Sequence, residues 1–281
     1  MRNTSLNLLI WAKIKLKSVV LLDESPWPLL VSMGIGCVFL GIGLFLNRGK
    51  WSLMIIYGLI FLGILVTIYG IFLWVRDVIR EGTILRRTSL SLEKALRIAM
   101  ILFIISEVLF FFSFFWAFFH SSLSPSIEIG SIWPPKYIGT LNYLEIPLLN
   151  TIILLFSGVT VTISHYKLLI GEIISSVNWL QFTVFNAFIF LIFQGYEYFH
   201  ASFNIQMGVY ASVFFMATGF HGFHVFLGAV LLWISLIRIE KEHFTVNDHF
   251  FFTASAWYYH FVDVVWLFLF FFFIFGVLKI Y

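Results

Sequence analysis

Apolar residues run through the chain in seven blocks, at 29–46, 51–75, 95–119, 148–170, 178–199, 209–237 and 250–278. Crossing the hydrocarbon of a bilayer takes about 20 apolar residues of helix, and each block reaches or approaches that length. The punctuation between them is short and polar, as in "NRGK" at 47–50, "RDVIREGTILRRTSLSLEK" at 76–94 and "HSSLSPSIEIGSIWPPKYIGTLNYLEIP" at 120–147. Backbone N–H and C=O groups in lipid must be satisfied within the segment itself, so each block predicts a helix. The expected architecture is all-α, a polytopic membrane protein with seven transmembrane helices. Residues 29–281 form that domain, with helices one and two at 29–75 and five more at 95–278. The preceding segment, 1–28, places Lys13, Lys15 and Lys17 among apolar residues and is expected to lie along the inner membrane surface.

Composition agrees with the pattern: 61% of the 281 residues are hydrophobic, 20% aromatic and 11% charged, where soluble domains carry about 25% charged residues. A water-soluble fold of this length has no way to hide so much apolar surface. Phe-rich runs such as "LFLFFFFIF" fit lipid-facing helix, and Cys37, the single cysteine, excludes an internal disulfide. The first apolar block begins too late, and without a small-residue cleavage pattern behind it, for a removable secretory signal.

Charge sets the orientation. With seven spans the termini lie on opposite sides, and 13 of the 17 Lys and Arg residues fall on the N-terminal side. Positive charge favours the inner face, so the N-terminus is expected in a bacterial cytoplasm or a mitochondrial matrix. The net charge of +3 is spent on topology and implies no nucleic-acid partner.

Polar residues at membrane depth are the candidates for chemistry, because a charge at the bilayer centre costs at least about 2.5 kcal/mol. Glu107 lies about a dozen residues into the third block, or roughly 18 Å at 1.5 Å per residue. His221 and His224 are three apart in "TGFHGFHVFLG", as are His260 and Asp263 in "WYYHFVDVVW". Counting from the span ends brings all of them to similar depth, and a buried polar layer shared by spans three, six and seven is expected. Two histidines on one helix face could ligate a metal or haem, or brace helices that approach closely at Gly219, Gly222 and Gly228. No CxxCH and no further ligand with metal-site spacing stands beside them. His260 with Asp263 reads either as a hydrogen-bonded pair or as a proton relay. An unpaired Glu107 would be neutral, since desolvation disfavours a bare carboxylate; it reads as a structural acid or as a proton-handling one. The charges Arg76, Asp77, Arg80 and Glu81 end the second block, where Arg76 and Arg80 repel unless anions such as lipid phosphates lie near.

The motifs "SPWPLL" at 25–30, "RDVIRE" at 76–81, "MILFIISEVLFF" at 100–111, "FFWAFFHSSLSP" at 114–125, "WPP" at 133–135, "PLLNT" at 147–151, "ATGFHGFHV" at 217–225 and "AWYYHFVDVVWLFL" at 256–269 resemble subunit III of mitochondrial cytochrome c oxidase. They occur in that family's order and cover the chain from about residue 25 onward. The resemblance implies two leading helices separated from a five-helix bundle by a lipid-filled cleft. It implies a core subunit of a proton-pumping haem-copper oxidase that holds no haem or copper itself, those cofactors sitting in partner subunits. The implied role is to pack directly on subunit I beside subunit II and accessory subunits, stabilise it during turnover and sustain proton uptake. Glu107 matches the family's carbodiimide-reactive glutamate, and Arg80, Glu81, Arg238, His243 and Thr245 match its phospholipid headgroup contacts. Two other classes remain open at this point. An independent carrier or channel would usually show inverted repeats and broken spans, yet no proline interrupts a span here. A quinol oxidase subunit III of the same superfamily shares the helix pattern.

Overall fold

The computed structural model describes residues 25–47, 52–83, 90–246 and 248–275. Most of the expected surface segment, 1–28, therefore lies outside the described residues. The helices are α1 (Trp27–Leu46), α2 (Leu53–Thr83), α3 (Leu90–Leu123), α4 (Ile146–Leu169), α5 (Ile173–His200), α6 (Val209–Glu240) and α7 (Phe250–Leu269), and α7 runs on into one π-helical segment, Phe270–Phe275. Seven helices among the described residues are long and apolar enough to cross a membrane, and the described residues hold no strand.

Several helices outrun the apolar blocks. Helix α2 continues through "RDVIREGT" because its charges find local partners: Arg76 pairs with Asp77 at 2.8 Å, and Asp77 accepts a 2.7 Å bond from the Trp27 indole. Helix α4 begins with Pro147 in its first turn, where the missing N–H costs nothing. Helix α5 starts earlier than its block, and its added Ser176 is fully buried.

The chain divides into two compact units that change over near Leu96, in the first turns of α3. In the first unit, α1 and α2 form a hairpin through glycines spaced seven apart, Gly34 with Gly41 and Gly63 with Gly70. A Cβ on Gly63 would stand 2.7 Å from the Gly34 carbonyl oxygen, and one on Gly34 would stand 2.9 Å from the Thr67 nitrogen. Only glycine allows backbones this close. The Thr67 hydroxyl turns back to donate to the Gly63 carbonyl at 2.8 Å.

In the second unit α4 and α5 meet through small polar residues. Ser164 and Ser176 each donate to the other's carbonyl, at 2.8 and 2.9 Å, and Thr160 bonds Thr183 at 2.8 Å. Helix α7 is fastened to α4 by Tyr259 on Ser157 at 2.8 Å and by the Trp266 indole donating to Thr151 at 3.0 Å. Helix α3 reaches α6 and α7 with rings: Phe110 meets Phe220, Phe111 meets Phe261, and Phe118 stacks on Phe273 with centroids 4.1 Å apart.

Candidate functional site

Glu107 on α3 faces His224 on α6 with Oε2 2.7 Å from Nε2. The other imidazole nitrogen, Nδ1, lies 2.6 Å from the Phe220 carbonyl, one turn earlier on α6. A carbonyl only accepts, so Nδ1 carries a proton. One further proton lies between Nε2 and the carboxyl, held by either partner, and the pair is neutral overall in both cases. Rings enclose it: Phe111 meets the imidazole edge-on at 5.0 Å, while Phe110 and Tyr258 stack on it at 6.1 and 6.3 Å. The His224 side chain is 9% exposed and that of Glu107 21%.

His221 is fully buried one turn away. Its Nε2 donates to the Val262 carbonyl of α7 at 3.1 Å, and its ring lies against Trp266 at 4.9 Å. His260 and Asp263 point elsewhere. The His260 Nε2 lies 3.2 Å from the Thr162 hydroxyl of α4, its Nδ1 is 3.7 Å from Asp263 Oδ2, and Asp263 packs where a Cβ on Gly158 would stand. The structure thus divides the membrane-depth polar residues over two faces of α7, one toward α6 and one toward α4. The described residues hold no group of three or more His, Cys, Asp or Glu arranged to bind a metal.

The residues matched to headgroup contacts sit at helix ends. Arg80 is exposed and Glu81 half-buried in the last turn of α2. In the other unit the Arg238 guanidinium lies over Phe244 at 4.3 Å and Phe251 at 5.1 Å, and its Nε is buried without a partner. The turn after α6 brings His243 back, its N–H donating to the Arg238 carbonyl at 2.9 Å. Thr245 closes the turn by accepting from the Asp248 N–H at 3.0 Å. Burial, and then the positive charges of Arg238 and Lys241, hold the His243 imidazole below its usual range.

Two features escaped the sequence reading. The Trp27 to Asp77 bond joins residues 50 apart, and nothing local marks it. Glu197 is buried, 4% exposed, and its signal is the seven-residue spacing from Ser176 and Thr183 through Phe190.

Comparison with known proteins supplies the family. The model of the family described as cytochrome c oxidase subunit III matches residues 17–277. The chain is 50% identical over 249 residues to a protein of Drosophila melanogaster, 50% over 252 to one of Marchantia polymorpha and 48% over 250 to one of Triticum aestivum. Each is named cytochrome c oxidase subunit 3, and each match covers 89% of this chain and 93% of the relative. With seven apolar helices and a match over nearly its whole length, the chain belongs to the cytochrome c oxidase subunit III family and is a membrane-spanning subunit of that oxidase complex.

Proposed function

We propose that this subunit acts without redox chemistry of its own, as a brace for the catalytic subunit I of a mitochondrial cytochrome c oxidase and a support for sustained proton uptake. The observation that carries this reading is how the membrane-depth histidines are used. Both His224 nitrogens and the His221 Nε2 are committed to protein groups that tie α6 to itself, to α3 and to α7. These bonds use the imidazoles to join helices. Haem and copper then reside in partner subunits, with subunit II and accessory subunits completing the complex. The Lys and Arg asymmetry supports an inner-membrane orientation with the N-terminus in the matrix and the C-terminus in the intermembrane space. Anionic phospholipid held at Arg80 with Glu81, and at Arg238 with His243 and Thr245, anchors the helix ends.

Within this reading the Glu107 to His224 pair is a neutral strut carrying one shared proton. Purification is the direct test: the chain co-isolates with a haem-bearing complex that oxidises cytochrome c, whereas isolation alone, or with a complex that oxidises only quinol, contradicts the proposal. Glu107→Gln separates strut from proton carrier. The amide keeps size and hydrogen bonding but removes the titratable carboxyl, so assembly survives and labelling by a hydrophobic carbodiimide disappears. Pumping per electron stays near normal or falls mildly. Complete loss of pumping in a fully assembled complex would show that the carboxyl handles protons.

A further inference from the structure

The polar seam between α4 and α5 continues past the hydrogen bonds that close it. On α4 the fully buried Asn150, Ser157 and Ser164 are seven apart; on α5 so are Ser176, Thr183, Phe190 and Glu197, all buried. At the end of the seam near the α4–α5 turn, every hydroxyl is matched, through Ser164 with Ser176 and Thr160 with Thr183. At the opposite end the matching stops. Both amide atoms of Asn150 and both carboxyl oxygens of Glu197 are buried without a protein hydrogen bond, and the Gln194 amide is buried with the Tyr198 hydroxyl as its near polar neighbour.

Register sets these groups toward one end of the seam. The crossings of residue 164 with 176 and 160 with 183 make the helices antiparallel neighbours, and at about 1.5 Å per residue Asn150 comes level, within about a turn, with Gln194. Glu197 follows Gln194 by three residues and so shares its face. Nearby groups are largely engaged: the Tyr198 hydroxyl bonds Thr218 at 2.6 Å and reaches no further than the neighbouring Gln194 amide, and the Trp266 indole is given to Thr151.

Buried amides and carboxyls are almost always hydrogen-bonded to something. These atoms expose no surface, so neither a lipid headgroup nor a side chain of another subunit reaches them from outside. Their partner must be small enough to sit between the helices. Water meets that condition, since a buried water typically makes about three hydrogen bonds and needs two to four polar neighbours. An amide both donates and accepts, so Asn150 and Gln194 can orient waters whichever oxygen of Glu197 they approach.

We propose that α4 and α5 enclose an internal water-binding site built from Asn150, Gln194 and Glu197, with room in its bonding for about two or three waters. Glu197 supplies the carboxyl wall of that site, three residues from the end of α5 at His200 and separate from the Glu107 to His224 pair. The site gives the bundle a second buried carboxyl, bonded to water instead of to an imidazole.

The test is a density map of the intact oxidase complex at a resolution that shows ordered water, for the parent protein, Asn150→Leu and Glu197→Gln. The parent is expected to show waters within hydrogen-bond distance of the Glu197 carboxyl and at least one of the two amides. Asn150→Leu, similar in volume but apolar, loses at least one of these waters; Glu197→Gln keeps the cluster, because it retains the hydrogen-bonding head. Direct bonds among the three side chains with no density between them overturn the proposal. So does a side chain of another subunit in the site, or a cation held by the same oxygens. Waters unchanged in Asn150→Leu also count against it, since Asn150 would then be no part of the site.

Discussion

In the α1–α2 hairpin the helices touch backbone to backbone at Gly34 and Gly63, while Gly41 and Gly70 make room for Ile60 and for Leu30 with Val31. In the α3–α7 bundle they touch through hydroxyls, imidazoles and rings. Lipid is as apolar as leucine, so neither region gains from simple hydrophobic association, and each relies on close packing or on hydrogen bonds. The hairpin relies on packing, and the Trp27 to Asp77 side-chain bond between its helices sits at an end. The bundle relies on bonds that cross helices at depth, from Ser164 with Ser176 to Glu107 with His224. Helix α3 shows how much such a bond matters, since only 6% of its apolar window is buried against 56% for α7. With so little packed surface, single contacts such as the Glu107 bond and the Arg97 guanidinium over Phe250 weigh heavily in holding α3.

The sharpest way to break this contrast is a methyl group. Gly63→Ala puts a Cβ 2.7 Å from the Gly34 carbonyl oxygen, which is backbone and cannot swing away. Overpacking of this kind costs about 1–3 kcal/mol, so the hairpin should open and the assembled complex should dissociate at lower temperature in detergent. Gly222→Ala in α6 meets nothing within 4 Å and should leave the dissociation temperature unchanged. Equal effects of the two substitutions would mean that the hairpin does not depend on backbone contact.

The same contrast explains what could be read from sequence. Seven spans were legible because a bilayer imposes length and polarity without reference to neighbours. Depth was legible too, since counting 1.5 Å per residue brings Glu107 and His224 to a common level. Azimuth was not. His260 and Asp263 were read into one layer with His221 and His224, yet they turn toward Thr162 and Gly158 of α4 while the Val262 carbonyl between them meets His221. The heptad glycines of α1 and α2 and the stripe from Ser176 to Glu197 acquire meaning only beside a partner helix, which pattern along one chain does not identify.

A smaller effect is expected where the bundle uses a polar strut. Glu107→Leu, His224→Leu and the pair of changes together form a double-mutant cycle whose coupling isolates the bond. Inter-helix hydrogen bonds in membranes average about 0.6 kcal/mol and reach about 1.7. A bond enclosed by Phe110, Phe111 and Tyr258 should lie in the upper part of that range, read as thermal stability of α3 docking in the complex. Coupling near zero would leave α3 attached without the Glu107 bond and make the bundle resemble the hairpin.

The smallest effect concerns how each region holds its cationic end. In the hairpin Arg76 is paired with Asp77 and Arg80 is exposed; in the bundle Arg238 lies over Phe244 and Phe251 with His243 beside it. Burial, then Arg238 and Lys241, depress the His243 imidazole, so without an anion it is neutral at pH 7. The sign of the pH dependence follows. In the lipid-free protein this depression disfavours the charged imidazole, and any stability it contributes is present above the ordinary imidazole range and lost as pH falls through it. A bound phosphate or carboxylate reverses the preference by favouring the charged form, so retention of anionic phospholipid should tighten as pH drops from about 8 to about 5.5, through the usual imidazole value. Each unit of difference between the free and bound imidazole is worth about tenfold in affinity at most, and the exposed Arg80 end should show no such slope. Lipid mass spectrometry on the complex at the two pH values measures this directly. His243→Gln should flatten the dependence while leaving the affinity at the higher pH unchanged, and a slope that survives the substitution would assign the proton to another group.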